Sequence, residues 1–146
     1  MNHKVVHTLF KTLWELGFIA VKFNYRGVEK SEGRRHAAGD SGEDETADVL
    51  AVVETARKKF ASSFHGPAPL VLAGFSFGGA IQAWIAPRLQ PQILIMVAPP
   101  VERMRIPYLT AGSARRNIEP IPEILIIQGD HDDIGPLRTV LDWSAP

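Results

Sequence analysis

The sequence predicts an α/β protein, three-layered, with a mostly parallel sheet in the middle and helices on both faces. Three observations predict it. Short apolar runs alternate along the chain with stretches of helical period. The runs 70–73, 93–97 and 124–127 are apolar throughout, as parallel strands covered on both faces are. One of them leads straight into a helix through the glycine-rich turn Gly74-Phe75-Ser76-Phe77-Gly78-Gly79. Strand–helix–strand units of this kind connect right-handed and leave their strands parallel.

The elements follow in order. Val5, Val6, Leu9, Phe10, Leu13 and Leu16 recur at helical spacing with Lys4, Lys11 and Glu15 between them, and Gly17 supplies a stop, so the first element is an amphipathic helix. Residues 18–23 are rich in β-branched and aromatic side chains, which predicts a strand covered on both faces. Residues 25–45 are polar and punctuated by glycine, with charged clusters Arg34-Arg35 and Glu43-Asp44-Glu45, and read as a long surface loop. Unstructured loops beyond about 15 residues are usually functional or mobile. Val49, Leu50, Val53, Ala56 and Phe60 mark a second helix, whose acidic start and Arg57-Lys58-Lys59 end both match the helix dipole.

After Pro67 and Pro69, residues 70–73 form a short strand. Ala80, Ile81, Trp84 and Ile85 then give the inner face of a third helix that stops near Pro87. Residues 93–97 are the next strand, residues 99–122 carry five prolines and little periodicity, residues 124–127 are the last strand, and residues 136–143 a closing helix. No repeat, low-complexity tract or linker divides the chain, so residues 1–146 read as a single domain.

A chain of 146 residues buries roughly 70% of the surface it exposes when unfolded, enough for a sizeable core. Its 16 basic and 16 acidic residues balance, which argues against nucleic acid or an anionic membrane surface as partner and for a small molecule. There is no cysteine, so disulfides, thiolate zinc sites and a cysteine nucleophile are excluded together. No apolar stretch approaches the ~18 residues of a membrane span and no leader pattern opens the chain, so a cytoplasmic protein is expected.

The candidate chemistry centres on Ser76. A serine hydroxyl reacts poorly unless it projects clear of its neighbours, beside a base and beside donors for an oxyanion. In Gly-x-Ser-x-Gly the small residues two before and two after the serine let a strand turn sharply into a helix, which lifts the hydroxyl above the sheet. Gly74 and Gly78 fill those places, with Gly79 in addition. The N–H of Phe77, at the helix start, is the candidate oxyanion donor. A glycine-rich turn holding an ordinary serine is the plainer alternative. Phosphate binding at the same turn fails on spacing, because neither Gly-x-Gly-x-x-Gly nor a lysine after the glycines is present. Phe75 and Phe77 are candidates either for an acyl pocket or for core packing.

The elbow at Ser76, the segment Phe23-Asn24-Tyr25-Arg26-Gly27-Val28 with Ser31-Glu32-Gly33, and Ile126-Ile127-Gln128-Gly129-Asp130-His131-Asp132 together resemble the small, lid-poor α/β-hydrolases of bacteria, over nearly the whole chain. The resemblance implies the α/β-hydrolase fold and an esterase-like serine hydrolase, related to dipeptidyl-peptidase and serine aminopeptidase domains. It also implies a Ser, Asp, His triad in that chain order. The family's acid lies three residues past the glycine that ends a strand, which is Asp132 here, with Asp130 and Asp133 as competitors.

Two departures stand out. The order Ser, Asp, His requires a histidine after Asp132, and residues 133–146 contain none. His131 adjoins the acid, and His3, His7, His36 and His65 precede it and read as surface residues. At the other end, the family's His-Pro-rich and Gly-Gly-containing oxyanion loop has no counterpart before Met1, so the domain reads as trimmed at both ends. Glu29 also stands where the family pattern places glycine.

Two functions follow. One is a serine hydrolase of ester or amide bonds in a small acyl substrate, through an acyl-enzyme on Ser76. The other is a catalytically impaired remnant or binding module of the same fold. No metal-ligand spacing appears and no cofactor is expected. Open sheet edges are expected to promote self-association.

Overall fold

Helix α1 (Lys4–Glu15) forms where the apolar stripe predicts it, and ends as Gly17 predicts. Gly17 takes φ 89°. Its N–H donates to the Trp14 carbonyl at 3.0 Å, and the N–H of Phe18 donates to Leu13 at 3.1 Å. This pair of bonds is a Schellman stop, which needs a left-handed residue that glycine supplies at least cost. The coordinates are a computed structural model describing residues 3–34, 42–106 and 122–145. His36, Arg35 and most of the proline-rich 99–122 stretch lie outside the described residues.

The described residues fall into two units, Met1–Ala68 and Pro69–Pro146. In the first, the strand expected over residues 18–23 does not form. The segment pairs with no strand among the described residues, and Phe18, Ile19 and Val21 remain 36%, 42% and 49% exposed. β-propensity describes fit to a neighbouring strand, and without a ladder it does not by itself fix one.

The polar segment after it is more ordered than a loop reading suggests. Gly27 N–H donates to Glu32, Val28 to Tyr25 and Ser31 to Val28, while Ser31 Oγ donates to the Asn24 carbonyl at 3.1 Å. Gly33 packs against Arg26, where an added Cβ would lie 3.2 Å from the Arg26 Cβ. Helix α2 (Glu43–Lys59) begins inside the expected loop, because Glu43, Asp44 and Glu45 place three negative charges on its N-terminal turn. Arg57, Lys58 and Lys59 complete the match at the other end.

The second unit carries the sheet. Strands β1 (Val71–Phe75), β2 (Ile93–Val97) and β3 (Glu123–Ile127) run parallel in the order β1-β2-β3. In register, Leu72 lies beside Leu94 and Leu94 beside Ile124, so these residues share one face. Helix α3 (Phe77–Leu89) packs against β1 and β2. The core is Leu72, Ala80, Ile81, Ala83, Ile85, Leu94 and Met96.

One expectation about α3 needs correction. Trp84 is only half-buried, while Gln82, Ala83 and Ala86 are buried, so burial extends around most of the helix rather than along one stripe. The helix ends at Leu89, close to Pro87 as expected, with the proline inside its last turn. A short helix α4 (Val101–Met104) was not foreseen. Helix α5 (Leu137–Ser144) packs on it, and Trp143 Nε1 donates to the Ile106 carbonyl at 3.0 Å. β3 pairs only with β2 among the described strands, and Leu125 and Ile127 on it stay about half exposed.

Candidate active site

Between β1 and α3 there is no connecting loop at all, only Ser76. Its backbone lies at φ 49°, ψ −120°, a conformation that side chains rarely tolerate. The strain is held from both sides. Ser76 N–H donates to Val97 of β2 at 2.8 Å, and its carbonyl accepts from Gly79 and Ala80 in the first turn of α3. The turn closes because the chain folds glycine onto glycine: a Cβ on Gly74 would lie 2.5 Å from the carbonyl oxygen of Gly78. A Cβ on Gly79 would in turn meet the Gly74 carbonyl oxygen at 3.2 Å. Ser76 is half-buried and its side chain makes no capping bond to the helix it opens. Phe77 is the first residue of α3, and Phe75 and Phe77 are both half-buried.

The strand ends are tied in a row. Ser76 bonds to Val97, and the next residue, Ala98, donates to Ile127 at 2.8 Å. The three carboxyl ends therefore lie side by side, with β1 and β3 two strand spacings apart, about 10 Å. The crevice outside such ends is where open parallel sheets place their ligands.

Asp132 follows β3 at that edge. Its Oδ1 accepts the N–H groups of Ile134 at 2.8 Å and Gly135 at 3.0 Å, and its Oδ2 accepts Gln128 Nε2 at 3.1 Å. The Gly135 amide and then the Ile134 amide hold the carboxyl below the ordinary carboxylate range; burial opposes them, and Gln128 adds the smallest lowering. The competitors differ. The Asp130 side chain is 79% exposed and reaches only His131, at 3.9 Å, and Asp133 is exposed.

His3, His7 and His65 are exposed, and the His131 side chain is 97% exposed. Among the described residues of the second unit, His131 does not donate to Asp132, whose bonds there come from Gln128, Ile134 and Gly135. Among the described residues no group of three or more His, Asp or Glu side chains is placed to hold a metal ion, and no helix is long and apolar enough to cross a membrane.

A family model described as serine aminopeptidase, S33, matches residues 2–124. The chain belongs to that family of α/β hydrolases. The described part of its fold, a parallel sheet of three strands with helix α3 packed on it, is part of the α/β-hydrolase fold. An α/β serine hydrolase homologue from Coxiella burnetii is 37% identical with a TM-score of 0.76, covering 98% of this chain and 61% of its own. An α/β serine hydrolase without a lid, from Xanthomonas campestris, is 36% identical with a TM-score of 0.74, covering 98% and 57%. An uncharacterized protein of Rickettsia prowazekii is 32% identical over 150 residues, 97% of this chain and 55% of that protein. The S33-family chain thus spans about 55–61% of the length of these relatives.

Sequence reasoning missed two arrangements in this S33-family chain. In the first unit Arg26 binds Asp48 through its backbone N–H at 2.9 Å, Nε at 3.1 Å and Nη2 at 2.7 Å, and its Nη1 reaches Asp44 at 3.3 Å. Nothing in a linear reading joins residues 22 positions apart across a loop. In the second unit Gln128 bridges to Asp132, a pairing that the four-residue spacing after a strand end hints at.

Proposed function

We propose that this chain presents the nucleophile and acid of a serine hydrolase acting on an ester or amide bond of a small acyl substrate. The observation that carries the reading is the strained Ser76 at φ 49°, ψ −120°, held between β1 and α3 with its hydroxyl unused by the helix. Ser76 Oγ attacks the carbonyl carbon, a base takes its proton, and the carbonyl oxygen becomes an oxyanion facing the Phe77 N–H at the helix start. Collapse of that intermediate expels the alcohol or amine with a proton and leaves an acyl-serine, which water then hydrolyses. Asp132 orients the base and stabilises its protonated form. A cytoplasmic location belongs to the same reading.

A second reading, a non-catalytic module of the same fold, has one observation in its favour: His131, the described histidine of the second unit, is exposed and does not bond to Asp132. Loss of the base alone costs a serine hydrolase on the order of 10⁴-fold or more in rate. Treatment of the folded protein with a fluorophosphonate probe separates the two. Labelling that disappears in Ser76→Ala, together with Ser76-dependent hydrolysis of p-nitrophenyl acetate, is the expected result. A folded protein that takes up no label establishes the second reading instead.

The open edge of β3 supports self-association of this chain. Light scattering that grows with concentration, and falls in Ile127→Lys, is the corresponding outcome.

A further inference from the structure

Gln128, just past β3, uses one amide nitrogen twice. Nε2 donates to Asp132 Oδ2 at 3.1 Å and to the Gly135 carbonyl at 2.6 Å. Both partners are acceptors, so the nitrogen must face them and the orientation of the amide is dictated. The other end of the amide, Oε1, is buried and meets no hydrogen-bond partner among the described residues.

This is a poor arrangement for stabilising a turn, because burial of Oε1 works against the two bonds that Nε2 makes. The turn is held without it. Asp132 Oδ1 already accepts the N–H groups of Ile134 and Gly135, an Asx-type closure that a single aspartate provides. Gln128 adds a hold on the second oxygen. With Oδ1 committed to the turn and Oδ2 to Gln128, the carboxylate can no longer rotate about its own bond. The same nitrogen fixes Gly135, and Gly135 lies against the chain that follows β2, where an added Cβ would be 3.3 Å from the Pro99 carbonyl oxygen.

We propose that Gln128 is the positioning residue of Asp132: its bifurcated amide sets the direction in which the carboxylate oxygens face an incoming partner. The proposal rests on the reading of Asp132 as the acid of a serine hydrolase and deepens it, since an acid that orients a base must itself be oriented. Gln128 touches neither substrate nor nucleophile in this scheme and acts only through Asp132.

The test uses the full chain with Gln128→Met, which keeps length and volume but removes the donor, and Gln128→Glu, which sets a second carboxylate against Asp132. Carbon-detected NMR follows the titration of the Asp132 carboxyl, thermal melting follows the fold, and the rate of fluorophosphonate labelling follows Ser76. In Gln128→Met the melting midpoint is expected to stay near wild type, because the unsatisfied oxygen leaves with the donor. Asp132 should titrate at higher pH, and labelling of Ser76 should slow about tenfold. Gln128→Glu should move the titration further in the same direction. An Asp132 that titrates in Gln128→Met as in wild type overturns the proposal. So does a common loss of fold in both variants, which assigns Gln128 to the architecture. If the wild-type protein never labels, the hydrolase reading fails while the titration shift still decides the role of Gln128.

Discussion

Gly74 and Gly78 lie so close that no side chain fits between them: a Cβ on Gly74 would sit 2.5 Å from the Gly78 carbonyl oxygen. The contact joins the end of β1 to the first turn of α3, and both partners are main chain, which cannot swing aside as a side-chain tip does. Gly74→Ala is therefore expected to lower stability by about 3 kcal/mol, the upper part of the usual overpacking range. Gly79→Ala, with its nearest contact at 3.2 Å, is expected to cost about 1 kcal/mol. Urea denaturation of both variants measures the difference, and equal losses would remove the elbow's special status.

Ser76 stores strain that its side chain does nothing to relieve. Glycine adopts φ 49°, ψ −120° freely, whereas alanine does not. Strain of about 1–3 kcal/mol is partly offset by the greater unfolded-state entropy of glycine. Ser76→Gly is expected to be about 1 kcal/mol more stable than Ser76→Ala, with both unreactive toward fluorophosphonate. Matched denaturation curves of the two variants provide the measurement.

Glu29 also lies in the left-handed region, at φ 51°. Asn24 Nδ2 donates to its carboxylate at 3.1 Å, an exposed bond worth little against the backbone strain. Glu29→Gly is expected to raise the melting temperature by about 4 °C. A lower melting temperature would show that the side-chain contacts of Glu29 outweigh the strain.

Asp132 and Asp48 make the fold acid-sensitive. In Asp48 burial raises the pKa, but the hydrogen bonds and charge of Arg26 outweigh it, and the net shift is downward. In Asp132 the Gly135 and Ile134 N–H groups lower it. A native pKa below the unfolded value of about 3.9 means that the stabilisation is fully present above that pH. It is lost as pH falls through the native values. Urea midpoints between pH 6 and pH 2 should therefore fall at the acid end, and the fall should flatten in Asp132→Asn and in Asp48→Asn. An unchanged acid limb in both variants would assign the transition to other carboxyls.

The elbow was legible in the sequence because its physics is local. Gly74, Gly78 and Gly79 are needed within six residues of one another, an apolar strand precedes them and an apolar helix follows, so residue order alone implies the kink. The Gly17 stop of α1 and the charge-matched ends of α2 were readable for the same reason, since each concerns neighbouring backbone groups. The registers Leu72 to Leu94 and Leu94 to Ile124 were not written in any one segment. Nor was the failure of residues 18–23 to join a ladder, because pairing depends on a partner that the segment does not contain.

By itself the sequence determined the order of the three strands in the second unit and the kink that presents Ser76. Only the tertiary structure decided that Asp132, rather than Asp130 or Asp133, is the carboxylate gripped by backbone amides, and that Gln128 holds its second oxygen. It also decided that Arg26 closes on Asp48. The physical reason is that a chain spells out short-range backbone geometry in its residue types, whereas a hydrogen bond between a strand end and the turn beyond it exists only once the strands have set where each end lies.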